Sequence, residues 1–153
     1  MARVLIAGIG NIFRGDDGFG VEVVRRLADE RLGEDIEVAD FGIRGVHLAF
    51  EMASGKYKKV ILVDAASRGE SPGTLYAIEP EDADGEAAIA DAHSLTPAAV
   101  LAWVRRIGGE CGRVILVGCE PATLDESIGL SVPVRSALDG AVKMVRELIA
   151  EGT

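Results

Sequence analysis

The chain reads as an α/β sandwich built on a mostly parallel sheet. Three observations carry that reading. Near-continuous apolar runs at residues 3–7, 60–63 and 113–117 have the composition of strands covered on both faces. Amphipathic helical patterns separate them. Both run types recur in alternation along 153 residues, enough for one domain with its own core.

The elements follow in order. Strand residues 3–7 lead into a glycine turn, Gly8-Ile9-Gly10-Asn11 through Gly15-Asp16-Asp17-Gly18. A helix is expected over 18–31, with Val21, Val24 and Leu27 on one face and Leu32-Gly33 closing it. A second strand spans 36–41, and a helix at 46–54 ends at Gly55. The third strand, 60–63, runs into Asp64. The next connection, 65–73, is too short for a helical crossover and holds Ser71-Pro72-Gly73, so the strand at 74–78 is expected antiparallel to the third. A helix over 97–107 has Ser94 or Thr96 as cap and Pro97 at its first position. The fifth strand covers 113–117. The last helix, 133–151, follows Ser131 and places Val134, Leu138, Val142, Val145 and Leu148 on one stripe. Long connections at 79–93 and 118–131 are candidates for function. No repeat or linker divides the chain, so residues 1–153 are read as a single domain.

Composition excludes several classes. Sixteen basic against 25 acidic residues give a formal net charge of −9, which disfavours nonspecific nucleic-acid binding. Two cysteines, Cys111 and Cys119, form neither a disulfide framework nor a C-x-x-C zinc motif. No apolar run approaches a membrane span, and Met1-Ala2-Arg3 enters a strand without a signal-peptide pattern, so a cytoplasmic protein is expected.

A strand, a glycine turn and a helix often make a phosphate cradle. Here Phe13 stands where a dinucleotide motif needs its third glycine, and no Walker lysine is present. Asp16 and Asp17 would repel a pyrophosphate, so the turn suits a cation better. Helix capping is the alternative for this acidic pair. Ligands of parallel sheets bind beyond the carboxyl ends of the strands. There the second strand brings Asp40, which an Asx turn into Gly42 would also explain, and the third brings Asp64, which a strand-end cap would also explain. His47 reads as a surface residue. His93, just before a helix, is the natural nitrogen ligand to join Asp17 and Asp64, a set suited to a divalent transition metal with positions left open. Cys119 reads as a buried thiol rather than a nucleophile.

Taken together, these motifs resemble the nickel–iron hydrogenase maturation proteases over nearly the whole chain. Besides Gly8-Ile9-Gly10-Asn11 through Asp16-Asp17-Gly18-Phe19-Gly20-Val21, the resemblance rests on Asp40-Phe41-Gly42 with Gly45, on Val63-Asp64-Ala65 and on Ser71-Pro72-Gly73-Thr74. His93-Ser94-Leu95 and Ile128-Gly129-Leu130-Ser131 complete it. It implies a three-layer fold with a twisted five-stranded sheet between helical layers. It also implies an endopeptidase that removes the C-terminal extension of the hydrogenase large-subunit precursor after nickel insertion. The metal positions would fall on Asp17, where members commonly carry Glu, and on Asp64 and His93. Asp16 and Asp40 would be supporting residues. Nickel would arrive with the substrate, and no organic cofactor, nucleic acid or membrane is expected. Two other readings stay open: a non-cleaving nickel-sensing or chaperone-like module, and a nucleotide-binding domain.

Overall fold

The computed structural model describes residues 3–79, 96–109 and 111–151. Five strands form one sheet in the order β2-β1-β3-β5-β4. They are β1 (Arg3–Ile9), β2 (Ile36–Gly42), β3 (Tyr57–Ala65), β4 (Leu75–Ile78) and β5 (Arg113–Cys119). β1 pairs in parallel with both β2 and β3, and β3 in parallel with β5. The helices are α1 (Phe19–Ala28), α2 (Gly45–Met52), α3 (Pro97–Ile107) and α4 (Val132–Ala150), with a 3-10 turn at Gly15–Gly18 before α1.

Alternation along the strands builds the two cores. Val4 and Ile6 of β1, with Ile61 and Val63 of β3, face α1 and α4 through Phe19, Val23, Leu138 and Val145. Leu5, Ala7 and Ile9, with Val60 and Leu62, face α2 and α3 through Leu48, Met52, Val100 and Val104. Both faces of the central strands are therefore covered, which is why they read as unbroken apolar runs. The result is the expected three-layer α/β sandwich.

Two details differ from the sequence reading. β4 does run opposite to β3, but its hydrogen-bonded neighbour is β5, with Leu75 opposite Cys119 and Ile78 opposite Leu116. The strand therefore crosses over β5's position to the sheet edge. Backbone bonds fix that path: Glu120 N–H donates to Thr74 O, and Gly73 N–H to Glu120 O. Second, α1 stops at Ala28, three residues before the expected end. Asp29 and Glu30 would set negative charge against the negative end of the helix dipole, and their N–H groups close tight turns onto Arg26 and Leu27 instead.

The sheet order changes direction between β1 and β3, since β2 lies on one side of β1 and every later strand on the other. Such a switch point leaves a crevice beyond the carboxyl ends of the two strands. The glycine turn leaves β1 there, and Asp64 sits near the end of β3.

Candidate active site

The turn after β1 is shaped by close backbone approach. Gly10 has φ +134°, and a Cβ on it would lie 1.8 Å from the Asp17 carbonyl oxygen. Gly20, in the first turn of α1, lies so close to the sheet that a Cβ would come within 2.0 Å of Val63 O and 2.5 Å of Ile9 O. Only glycine allows these approaches. They press the start of α1 onto the ends of β1 and β3, and so bring Asp17 toward Asp64.

Asp17 and Asp64 line one cleft of about 660 Å³, together with Gly10, Asn11, Arg14 and Thr96. Asp17 is half-buried, and its Oδ2 accepts the Asn11 N–H at 2.8 Å. Asp64 is only 5% exposed, and its Oδ1 accepts the Ala65 N–H at 2.8 Å. No cation faces it among the described residues. Burial, followed by the negative charge of Asp17, holds the Asp64 carboxyl well above the usual aspartate range, and the Ala65 N–H offsets only part of this. A buried carboxylate beside a like charge is an unfavourable arrangement without a cation. The chemistry of this donor pair therefore fits a bound divalent ion.

The two adjacent aspartates do different work. Asp16 is fully buried and makes no capping bond to the helix that follows. Its Oδ2 accepts the N–H of Ala122 at 2.7 Å, the N–H of Thr123 at 3.2 Å and the hydroxyl of Ser131 at 2.8 Å. Its Oδ1 accepts the Ser131 N–H at 2.7 Å. Burial by itself would raise the Asp16 pKa, but these donors from Ser131, Ala122 and Thr123 bring it below the usual value. Capping is thus the wrong description. Asp16 fastens the glycine turn to the loop after β5. The backbone reinforces the join, with Gly15 N–H donating to Ser127 O, Asp16 N–H to Thr123 O and Ser127 N–H to Phe13 O. Leu124 of that loop lines the cleft, and Arg14 Nε–H reaches its carbonyl at 3.3 Å.

The other sequence candidates lie further out. Asp40 is exposed near the end of β2 and does not line the cleft. Its carbonyl accepts Arg44 Nη2 at 2.6 Å, while Gly42, with φ +51°, accepts the Gly10 N–H through its own carbonyl. His47 is exposed on α2. His93 lies outside the described residues, so the full Asp17/Asp64/His93 set is not seen together. Among the described residues no group of three potential ligands converges. Cys119 is fully buried in the core beneath α4, and burial, then the charges of Asp16 and Glu120, push its thiol up to about 11. It is thus a neutral thiol at pH 7, unfit as a nucleophile.

Sequence reasoning missed Glu120 altogether. This residue is 6% exposed, and its Oε1 accepts the Tyr76 hydroxyl at 2.7 Å and the N–H groups of Arg68 and Glu70 at 2.8 and 3.2 Å. The Tyr76 bond and the Arg68 N–H hold its carboxyl below the usual range. It fixes the connection after Asp64, just as Asp16 fixes the loop after β5. One signal was available in the sequence: a glutamate directly after an apolar strand.

A family model described as hydrogenase maturation protease matches residues 21–148. The chain belongs to the hydrogenase maturation protease family. A Methanocaldococcus jannaschii protein named for hydrogenase maturation protease is 34% identical over 146 residues, covering 93% of each chain. The hydrogenase 2 maturation protease of Escherichia coli is 30% identical over 152 residues, covering 97% of this chain and 92% of its own. Among solved structures, the hydrogenase-maturating endopeptidase HybD of Escherichia coli superposes with a TM-score of 0.80 at 29% identity. That match covers 97% of this chain and 93% of HybD. Membership in this protease family and the shared three-layer fold are therefore established together. Among the described residues no helix is long and apolar enough to cross a membrane.

Proposed function

We propose that this maturation protease removes the C-terminal extension of a nickel–iron hydrogenase large-subunit precursor, and that Asp17, Asp64 and His93 engage the nickel carried by that substrate. The observation that carries the reading is the cleft at the β1/β3 switch point. Two carboxylates line it, one of them buried against the other's charge, and no cation of the described residues offsets that charge. A metal ion brought by the substrate would relieve that repulsion. Recognition and site completion would then be one event.

His93 suits the third position by its place in the chain. Thr96 lines the cleft, and three residues of chain reach at most about 11 Å. When bound, the metal supplies Lewis acidity toward the scissile carbonyl or toward a water. This chain's residues hold the reacting end in place. The Asn11 N–H orients the Asp17 carboxylate through Oδ2. The Ala65 N–H orients Asp64 through Oδ1. Asp16 acts at a distance, by holding the loop that forms one wall.

The test is cleavage of nickel-loaded precursor by wild type, Asp17→Asn and His93→Ala, followed by mass spectrometry of the released tail. Wild type is expected to release one peptide and both variants to lose at least a hundredfold in rate. Unchanged cleavage by both variants excludes this site. A wild type that binds nickel-loaded precursor stably without cutting it points instead to the non-cleaving nickel-sensing module.

A further inference from the structure

Among the described residues, the exposed large apolar side chains all lie in the connections and helix starts that follow β1, β2 and β5, or on α2. Ile43, Val46 and Phe50 are exposed on the chain that follows β2. Val46 and Phe50, four residues apart, share one side of α2, and Ile43, just before the helix, lines the cleft. Across the cleft, Phe13 follows β1, while Leu124, Ile128 and Val132 follow β5. Ile128 and Val132 are 78% and 72% exposed. These two groups are all the exposed large hydrophobics among the described residues, and each belongs to the chain that follows β1, β2 or β5.

Scattered exposed apolar residues need no explanation, but two groups that each reach a polar cleft, through Ile43 and through Leu124, do. The second rim is also held rigid. The Phe13 carbonyl accepts the Ser127 N–H, and Asp16 fastens residues 122, 123 and 131 to the same turn. A preorganised apolar rim loses little entropy on docking. Arg14 and Arg44, both exposed, stand within this zone, so aromatic, aliphatic and arginine side chains occur together as they do in protein interfaces.

We propose that the two rims form a docking face for the folded body of the precursor, which seats around the cleft while its tail enters. This rests on the endopeptidase reading above. The occupant follows from the centre of the face. A second copy of the chain seated here would close the cleft that a peptide must enter. An anionic lipid surface would meet Asp17 and Asp64 on a protein of net charge −9. A folded protein that delivers its own cation and tail meets neither obstacle. The face would also distinguish a folded precursor from a free peptide carrying the same cleavage sequence.

The test uses two double variants, Phe13→Ser with Ile128→Ser and Val46→Ser with Phe50→Ser, and Lys143→Ser as a distant surface control. KM and kcat are measured on nickel-loaded precursor. Each rim pair is expected to raise KM about tenfold or more with kcat within about twofold, with Tm and oligomeric state unchanged. Unchanged KM in both pairs overturns the proposal. A large fall in Tm overturns it too, because the rim would then be packed against this same chain. A dimer that dissociates in the variants assigns the face to a second copy instead. Should wild type not cleave, precursor binding by calorimetry separates the two claims. Rim-dependent binding keeps the docking face while the protease reading fails, and no binding sinks the face.

Discussion

Replacing Asp16 with alanine tests how the turn and the wall of the cleft are joined. The side chain is fully buried and receives four hydrogen bonds, three through backbone N–H groups and one from a hydroxyl. A bond to a charged acceptor is worth about 1.5–3 kcal/mol net. The four share one carboxylate, and water can reach parts of a surface loop once the carboxylate is gone. The expected loss is therefore about 3–5 kcal/mol rather than the full sum, or roughly 10 °C in Tm for a chain of this size. Asp16→Asn keeps the shape, but its amide N–H groups must face either the Ser131 N–H or the donors at Oδ2. It is expected to lose about 2–3 kcal/mol. The pH dependence has a definite sign. The folded pKa of Asp16 lies below the ordinary value of 3.8, so its contribution is complete above that value. It is lost as pH falls through the folded pKa. The gap between wild type and Asp16→Ala should thus be constant from neutral pH down to about 5 and shrink in more acid solution. Urea unfolding across pH, with amide exchange at Ala122, Thr123 and Ser131, is the assay. A loss under about 1 kcal/mol with unchanged protection at those three amides would refute the reasoning.

Four further outcomes are expected. Gly20→Ala should cost at least about 3 kcal/mol, because its Cβ meets the backbone oxygens of both Val63 and Ile9; chemical denaturation reads this directly. Lys59 is 4% exposed, and its Nζ donates to Leu148 O and Glu151 O at the end of α4, so Lys59→Met should cost about 1–3 kcal/mol and speed exchange in the last turn of that helix. Cys119→Ala should keep full processing activity, and alkylation of Cys119 should stay slow for as long as the protein is folded, because the thiol is fully buried and burial favours its protonated form. In metal-free protein at pH 7, Asp64→Asn should raise Tm by a few degrees, since a neutral amide escapes the cost that burial and Asp17 place on the Asp64 carboxyl, yet abolish processing.

What the sequence disclosed depended on the range of each interaction. Strands covered on both faces must be apolar at every position, so β1, β3 and β5 were legible as runs, and the glycines between β1 and α1 marked a tight passage. The neighbour of β4 was not legible, because a short connection fixes direction but not which strand edge is free. The meaning of Asp16 was hidden for a similar reason. Its four donors lie 106 to 115 residues away, and a local reading of an acid before a helix returns capping. Glu120 and Lys59 were missed because both are charged residues buried by partners that no local pattern names. Lys59 in particular serves a helix end 89 residues further on. Asp17 and Asp64 were singled out because the ends of parallel strands are where ligands collect, and both line one cleft. His93 lies outside the described residues, and its donor type, its place in the chain and the resemblance speak for it.

The Asp17/Asp64 cleft is proposed as the receptor for the substrate's metal. The most direct measurement of this is single-turnover processing of precursor large subunit in nickel-loaded and nickel-free forms, by wild type and by Asp17→Asn. Tail release by wild type from the nickel-loaded form only, and none by Asp17→Asn from either form, is the predicted result. Equal release from nickel-free precursor, or undiminished release by Asp17→Asn, would contradict it.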